Sequence, residues 1–220
     1  MFTGIIAATG SVSQLRRDND NSDARLKIDC GHLDLADTSL GDSIAVSGCC
    51  LTVVELGADW FAADVSAETL RCTNLGELQI GTTVNLEKAM LATDRFGGHI
   101  VSGHVDGVGE LLASTAEGDS MRLDFSAPYE LSKYIAAKGS VCIDGTSLTV
   151  NSVRGNEFSV NVIPHTQKET IIGRYVTGQR VNLEVDLVAR YLERLNTVEK
   201  ENAIDEAMLE EHGFIEPKQN

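Results

Sequence analysis

The chain repeats part of its own sequence. Fifteen of the 45 positions in 43–87 carry the same residue as the position 97 places further on. Ordinary residue usage predicts about three such matches. The matched stretches are SGCCLTV with DGTSLTV, VNLE with VNLE and, more faintly, FTGII at 2–6 with VSGHV at 101–105. Solenoid repeats have periods of about 20 to 50 residues, so this longer period predicts two similar domains in tandem.

Each copy has the pattern of short β-strands. In SIAVSGCCLTVVEL and SVCIDGTSLTVNSV the apolar residues alternate with polar ones or form short β-branched runs, and Gly, Asp and Asn separate the runs. Short strands at close spacing are typical of a small closed antiparallel barrel. The segment KAMLATDRFGG at 88–98 is the predicted junction between the two copies.

A different pattern follows the second VNLE. Leu187, Tyr191, Leu195 and Val198 lie four, four and three residues apart, which places them on one stripe of an amphipathic helix. Asp186 is a candidate N-cap for this helix. Because a lone helix cannot hide such a stripe from water, we expect it to pack against copies of itself or against a barrel.

Composition narrows the possible partners. A net charge of -15 argues against binding nucleic acid, which depends on Lys and Arg. The chain shows no secretory signal and no apolar stretch near the roughly eighteen residues of a membrane span. Five cysteines form an odd set without C-x-x-C or zinc-like spacing, which favours a reducing cytosol. GHVDGVGELL lacks the lysine and the third glycine of phosphate-binding loops, so neither a nucleotide nor a metal is expected.

Several motifs in this order closely resemble the duplicated-barrel riboflavin synthase family of bacteria and fungi. They are MFTGII, GCCLTV, DRFGGHIVSGHVDG, DGTSLTV, IPHT and the helical tail. The resemblance covers nearly the whole chain. It implies an all-β fold of two tandem six-stranded antiparallel Greek-key barrels plus a C-terminal α-helix. The implied domains are a barrel at 1–97, a barrel at 98–186 and a helical trimerisation tail at 187–220.

The resemblance also implies a homotrimer that needs no cofactor and acts on 6,7-dimethyl-8-ribityllumazine. Two substrate molecules would exchange a four-carbon unit and give riboflavin and 5-amino-6-ribitylamino-uracil. Two identical substrates need two similar pockets, which gives the duplication a chemical reason. The first barrel of one subunit would face the second barrel of its neighbour, so that proximity and orientation lower the barrier. Association with a lumazine synthase shell stays open, and the expected location is the cytoplasm.

Differences between the two copies point to candidate chemistry. The shared threonines, Thr52 with Thr149 and Thr69 with Thr166, are candidate hydrogen-bonding groups, although strands favour threonine anyway. The unshared positions pair Cys50 with Ser147, Ile5 with His104, Glu68 with His165 and Ala89 with Asp186. The second copy therefore holds the better groups for proton transfer and nucleophilic addition.

The resemblance assigns roles to these positions. The catalytic candidates are His104, Ser147, Asp186 and Lys138 from the second copy, and Phe2, Ser43 and Cys50 from the first. The residues expected against substrate are Gly4, Ile5, Ile6, Cys50, Leu51, Thr52, Ala63, Asp64, Val65, Ser66, Ala67, Glu68, Thr69, Gly103, His104, Val105, Lys138, Ser147, Leu148, Thr149, Val160, Asn161, Val162, Ile163, Pro164, His165 and Thr166. Backbone groups are expected to matter as much as side chains.

Each catalytic candidate has a plain alternative. His104 could merely fit beside Gly103, Asp186 could merely cap the tail helix, and Cys50 could merely fill space. His99 and His104 are five residues apart, which on a strand points them to opposite faces and makes a metal pair improbable.

The rival function is a lumazine- or flavin-carrying antenna protein that catalyses nothing. Both copies keep LTV and VNLE, and the second keeps Ser147 and His104, which favours the enzyme. Two positions depart from the family pattern. Ser47 stands where asparagine is common, and VSAE at 65–68 lacks the proline of the second copy, so the rim of the first pocket is expected to differ.

Overall fold

The chain folds into two closed antiparallel barrels followed by a helix. The computed structural model describes residues 1–17, 19 and 22–201. The first half holds β1 (Ala8–Arg17), β2 (Ala24–Asp29), β3 (Ser43–Val46), β4 (Cys49–Leu56), β5 (Trp60–Val65), α1 (Ala67–Cys72) and β6 (Thr83–Lys88). The second half holds β7 (Gly107–Glu117), β8 (Ser120–Ser126), β9 (Ser140–Ile143), β10 (Thr146–Arg154), β11 (Glu157–Val162), α2 (Pro164–Glu169) and β12 (Arg180–Val185). Short 3₁₀ helices occupy Asn74–Glu77, Tyr129–Tyr134 and Ile171–Arg174, and α3 spans Leu187–Glu201.

Both barrels have the same strand order. The first runs β1-β2-β5-β4-β3-β6, and the second runs in the equivalent order β7-β8-β11-β10-β9-β12. Register shifts occur in β1 and β4 and at the equivalent places in β7 and β10. Such bulges bend a strand and increase its twist, as closure of a small barrel requires. The predicted all-β fold of two six-stranded barrels and a C-terminal helix is confirmed.

Alternation along the strands separates a core face from an outer face. In β4, Cys49, Leu51 and Val53 are buried while Cys50 and Thr52 point outward. In β10, Leu148 and Val150 are buried while Ser147 and Thr149 point outward. Each barrel closes around its own apolar cluster. A third, small cluster of Phe2, Ala45, Val101 and Cys142 joins the two halves.

Two tight turns meet where the barrels touch. Ser47 and Gly48 join β3 to β4, and Asp144 and Gly145 join β9 to β10, all four with positive φ angles between 42° and 84°. Two consecutive positive φ angles are the signature of the type I′ turn, which suits a two-residue hairpin. A Cβ atom on Gly48 would lie 2.6 Å from the backbone nitrogen of Gly145. The backbones of the two turns are therefore in direct contact.

The asparagines of the two VNLE motifs fasten one barrel to the other. Asn85 donates from Nδ2 to the carbonyl of Asp144 at 2.8 Å, and its Oδ1 accepts the N–H of Ile171 at 2.9 Å. Asn182 donates to the carbonyl of Ser47 at 2.8 Å and accepts the N–H of Asn74 at 2.7 Å. Both side chains are buried. The repeated asparagine thus has the same structural role in each half.

The residues up to 187, including both barrels, form one compact unit, and a second begins at Val188. Within α3, Tyr191, Leu192 and Leu195 are each more than half exposed. The side chain of Val198 and the tail at 202–220 lie outside the part that the structure describes. Among the described residues, no helix has the length and apolar character needed to span a membrane.

Candidate active site

The leading segment of each half forms backbone hydrogen bonds with a strand of the other half. The backbones of Phe2 and Val101 pair, with N···O distances of 2.7 and 3.2 Å. Beyond this bridge the segments cross, since the N–H of Ser147 donates to the carbonyl of Gly4 and the N–H of Cys50 donates to that of Gly103, both at 2.8 Å. The exchange places the start of the first copy on β10 and the start of the second copy on β4.

The exchange creates two composite surfaces. We name the first cradle the surface of residues 50–52 on β4 and residues 103–105. The second cradle is the surface of residues 147–149 on β10 and residues 4–6. The backbones approach so closely that a Cβ atom on Gly4 would lie 2.6 Å from Cβ of Ser147, and one on Gly103 would lie 2.6 Å from Cβ of Cys50.

The glutamates of the VNLE motifs hold these crossing segments. Glu87 accepts the N–H and the hydroxyl of Thr3, both at 2.7 Å, and the N–H of Gly4 at 3.0 Å. Glu184 accepts the N–H of Ser102 at 2.6 Å, its hydroxyl at 2.8 Å, and the N–H of Gly103 at 3.0 Å. Burial raises the pKa of each carboxyl group, and the hydrogen bonds oppose that rise. The repeated glutamate of VNLE therefore has the same structural role in each half.

In the second cradle, Ser147 pairs with His99. The serine Oγ lies 2.7 Å from Nδ1 of the imidazole. His99 is only 7% exposed, and its Nε2 has no hydrogen-bond partner among the described residues. Burial lowers the pKa of His99, while the nearby charge of Asp186 opposes that change. A neutral imidazole at this distance can accept the proton of a hydroxyl group.

The sequence interpretation overlooked His99. It considered this residue only as an improbable metal ligand and joined Ser147 with His104 instead. The FGGH segment carries the signal, because two glycines before a histidine allow close backbone approach. A Cβ atom on Gly98 would lie 2.9 Å from Cβ of Ser147, which is how His99 comes within reach of the serine.

His104 belongs to the first cradle. It is exposed, its N–H points to the hydroxyl of Ser102 at 3.3 Å, and it directly follows Gly103, whose carbonyl binds Cys50. The half-buried thiol of Cys50 and the imidazole of His104 thus lie on the same composite surface. The structure places the backbone of His104 next to Cys50 and that of Ile5 next to Ser147, and it pairs the side chain of Ser147 with His99.

The remaining catalytic candidates occupy different environments. Ser43 is half-buried opposite Thr52 in the β3–β4 register, and Phe2 is fully buried in the cluster between the halves. Lys138 is exposed with φ of 68°, at the position that Gly41 holds in the first copy. Asp186 follows β12 and lies near enough to His99 to act on its charge.

Several predicted contact residues can offer substrate only their backbone. The side chains of Ala63, Val65, Val160 and Val162 are buried in the barrel cores, as are those of Leu51 and Leu148. Val105 is partly buried and packs against the core of the first barrel.

Near the starts of α1 and α2, many of the predicted polar side chains form hydrogen bonds or ion pairs within the protein. The hydroxyl of Ser66 caps α1 by accepting the N–H of Thr69 at 3.0 Å, and Glu68 pairs with Arg71. Asp64 pairs with Arg25. In the second half Pro164 begins α2, and Ile163 and His165 are exposed. Asn161 donates to Glu117 at 3.0 Å, and Ala67 and Thr166 lie within α1 and α2.

A groove of about 790 Å³ adjoins the crossing segment of the first copy. Its walls include Ile5, Ser43 and Gly97, and the linker residues Met90 and Leu91. This volume is within the range of small-molecule sites. Ile5 is common to this groove and to the second cradle.

Comparison with known proteins identifies the class of this fold. The family model described as Lumazine binding domain matches twice, at residues 3–89 and 102–186. The crystal structure of LumP complexed with 6,7-dimethyl-8-(1'-D-ribityl) lumazine superposes with a TM-score of 0.75 at 25% identity, covering 84% of this chain and 99% of that one. LumP complexed with riboflavin superposes with a TM-score of 0.77 over the same shares. The chain is a duplicated lumazine-binding-domain protein.

Sequence relatives identify the family within that class. Riboflavin synthase of Photobacterium phosphoreum is 48% identical over 219 residues, covering 98% of this chain and 100% of the relative. Riboflavin synthase of Bacillus subtilis is 39% identical over 218 residues, covering 97% and 100%. The chain belongs to the riboflavin synthase family, and the resemblance in its motifs is confirmed.

Proposed function

We propose that this chain is a riboflavin synthase, a transferase that converts two molecules of 6,7-dimethyl-8-ribityllumazine into riboflavin and 5-amino-6-ribitylamino-uracil. The observation that carries the proposal is the pair of cradles, both of which keep an outward threonine and a nucleophilic side chain. Cys50 and Thr52 stand on β4, and Ser147 and Thr149 stand on β10. A dismutation of two identical molecules requires two such sites.

The chemistry needs a base for the acidic methyl group on ring carbon 7 of one substrate and a nucleophile for the other. In the second cradle Ser147 is the nucleophile, and the neutral imidazole of His99 accepts its proton. Asp186 favours the imidazolium that forms, because its charge opposes the effect of burial on His99. In the first cradle His104 is the exposed base and Cys50 is the neighbouring nucleophile.

Other predicted residues hold the site or the substrate in place and take no part in the bond changes. Phe2 is inaccessible to solvent, so its role is to hold the crossing segments against each other. Lys138 provides a cation beside the second cradle that Gly41 cannot provide beside the first. The outward threonines and the backbone of the strands and helix starts at 63–69 and 160–166 bind the ring and the ribityl chain.

The active assembly is a homotrimer in which the first cradle of one subunit meets the second cradle of another. The exposed apolar residues of α3 support this proposal, because such a stripe favours association with copies of itself. We retain the domain limits 1–97, 98–186 and 187–220, with the last as the trimerisation tail. All five cysteines are unpaired, which supports a cytoplasmic location. Lumazine synthase is a candidate partner on the resemblance alone.

The assignment is tested with purified protein and 6,7-dimethyl-8-ribityllumazine in the presence of a chelator and without added cofactor. The expected products are riboflavin and the pyrimidine in equal amounts, quantified by chromatography. A protein that leaves the column yellow-green with stoichiometric ligand, and forms no riboflavin from added substrate, is a carrier instead. Cys50→Ala and Ser147→Ala show which cradle limits turnover.

A further inference from the structure

A second groove, of about 510 Å³, lies at the seam between the barrels, and Ala67 is the one residue expected against substrate among its described lining residues. We name it the arginine groove. Arg17 at the end of β1 and Arg71 in α1 reach it from the first half, and Arg180 at the start of β12 reaches it from the second. The other lining residues are Ala67, Leu70, Thr73, Gly76 and Glu77.

One N–H donor of Arg17 has no hydrogen-bond acceptor among the described residues. Its Nη2 donates to the carbonyl of Gly76 at 2.9 Å. Its Nε is buried and has no acceptor among the described residues. Buried polar atoms are nearly always hydrogen-bonded, so this guanidinium group has the capacity for one further acceptor beside the groove.

The charge of the groove favours an anion. Three guanidinium groups face one carboxylate among its described lining residues, that of Glu77, which pairs with Arg180. Glu68, outside the lining, pairs with Arg71. Both pairs are exposed, and exposed ion pairs contribute little, so an incoming oxyanion can replace them. A positive site is unexpected in a chain with net charge -15.

We propose that the arginine groove binds a phosphate group, either the free ion or a phosphate monoester. Guanidinium forks match the oxygens of phosphate with two parallel hydrogen bonds, and each such bond is charge-assisted. The groove exceeds the size of the bare ion and leaves room for the organic part of an ester. A bound phosphate would join α1 of one barrel to β12 of the other.

Isothermal titration calorimetry at constant ionic strength, adjusted with sodium chloride, tests the proposal. The probes are inorganic phosphate and ribose 5-phosphate, and the samples are the full chain, Arg71→Ala, Arg180→Ala and the double variant. Saturable binding of one molecule per chain is expected, with a Kd raised about tenfold or more in the double variant. Tighter binding of ribose 5-phosphate identifies an ester site, and equal binding identifies a site for the free ion.

Arg122→Ala is the matched control, because Arg122 is also an ion-paired arginine, half-buried on β8 beside Asp124. Its Kd should equal that of the unmodified chain. In the unmodified chain, phosphate should raise the midpoint of thermal unfolding more than chloride does. In the double variant, the two salts should have the same effect. Equal isotherms for the double variant and the unmodified chain, or no saturable heat with either probe, would overturn the proposal. Riboflavin formation is measured separately and does not depend on this result.

Discussion

At the scale of single residues, the contact between Ser147 and His99 changes how the two copies are understood. The copies differ at the position of Cys50 and Ser147, and the serine forms a hydrogen bond with a buried imidazole. Burial keeps His99 neutral, so it can act as an acceptor for the hydroxyl proton. In the proposed reaction, the two cradles therefore differ in how their nucleophiles are activated.

Replacing His99 with Gln should lower kcat by about 10² to 10⁴, the usual range for loss of general-base assistance. In the unmodified protein the acid limb of kcat/KM should lie below pH 6.5, because the pKa of His99 is lowered from that value and the neutral form persists to lower pH. His99→Gln should abolish this limb, as stopped-flow measurement of turnover against pH would show. His32→Gln, at an exposed histidine, is the control. A His99→Gln protein with unchanged kcat and the same acid limb would contradict this role.

At the scale of elements, the paired hairpin turns join the barrels. Gly48 and Gly145 combine a positive φ with backbone contact, so a side chain is disfavoured at each for two separate reasons. Gly155, in the turn between β10 and β11, has a positive φ of 63° but open space around it. These glycines allow the effect of conformation to be separated from that of contact.

Gly155→Ala should lower the free energy of unfolding by about 1 to 2 kcal/mol, the cost of a left-handed conformation for an L-residue. Gly48→Ala should cost about 1 to 3 kcal/mol more, because its Cβ would clash with the facing turn. Urea unfolding of both variants measures the difference. Similar losses for the two variants would mean that the turns separate without penalty.

At the scale of the whole molecule, the seam between the barrels contains a buried acid. Asp144 accepts the hydroxyl of Tyr175 at 2.5 Å, the side chain of Asn74 at 3.0 Å and the N–H of Asn182 at 2.8 Å. Burial raises its pKa from 3.8 to about 6, despite those hydrogen bonds. The equivalent residue of the other turn, Ser47, has no charge. The seam is therefore chemically asymmetric although its backbone is nearly symmetric.

Asp144 should make the folded protein more stable as the pH falls from about 6 toward 4. Folded Asp144 binds its proton more tightly than the unfolded residue does, so its contribution is full below pH 3.8 and is lost as the pH rises through about 6. The size is about 2 to 3 kcal/mol, at 1.36 kcal/mol for each pKa unit. Glu87 and Glu184 act in the same direction, since their pKa values are also raised. His99 acts in the opposite direction, since its pKa is lowered.

Urea midpoints measured between pH 4 and 7 for the unmodified protein and Asp144→Asn test this dependence. The variant should lose the part of the slope that Asp144 contributes, since an amide cannot titrate, and should keep the part that comes from Glu87 and Glu184. Asp119→Asn, in the exposed turn between β7 and β8, should keep the full slope. A variant slope equal to that of the unmodified protein would assign the dependence to other groups.

The sequence by itself determined the duplication, the strands and the turns. A repeat of fifteen identities and alternation within each copy are local patterns, and they sufficed for two barrels and a C-terminal helix. They also paired Cys50 with Ser147 as an equivalent position at which the two copies differ. The physical reason is that strand burial and turn conformation depend on residues a few positions apart.

Only the tertiary structure decided which half completes which surface. The exchange of the segments at 2–6 and 101–105, the inter-barrel bonds of Asn85 and Asn182, and the pairing of Ser147 with His99 join residues distant in sequence. The two copies offer equivalent backbone hydrogen-bonding groups on β4 and β10. The sequence pattern of a leading segment is therefore compatible with pairing to either strand. Packing of the turns and burial of Phe2 between the halves select the exchanged arrangement, and those contacts exist only once both barrels have folded.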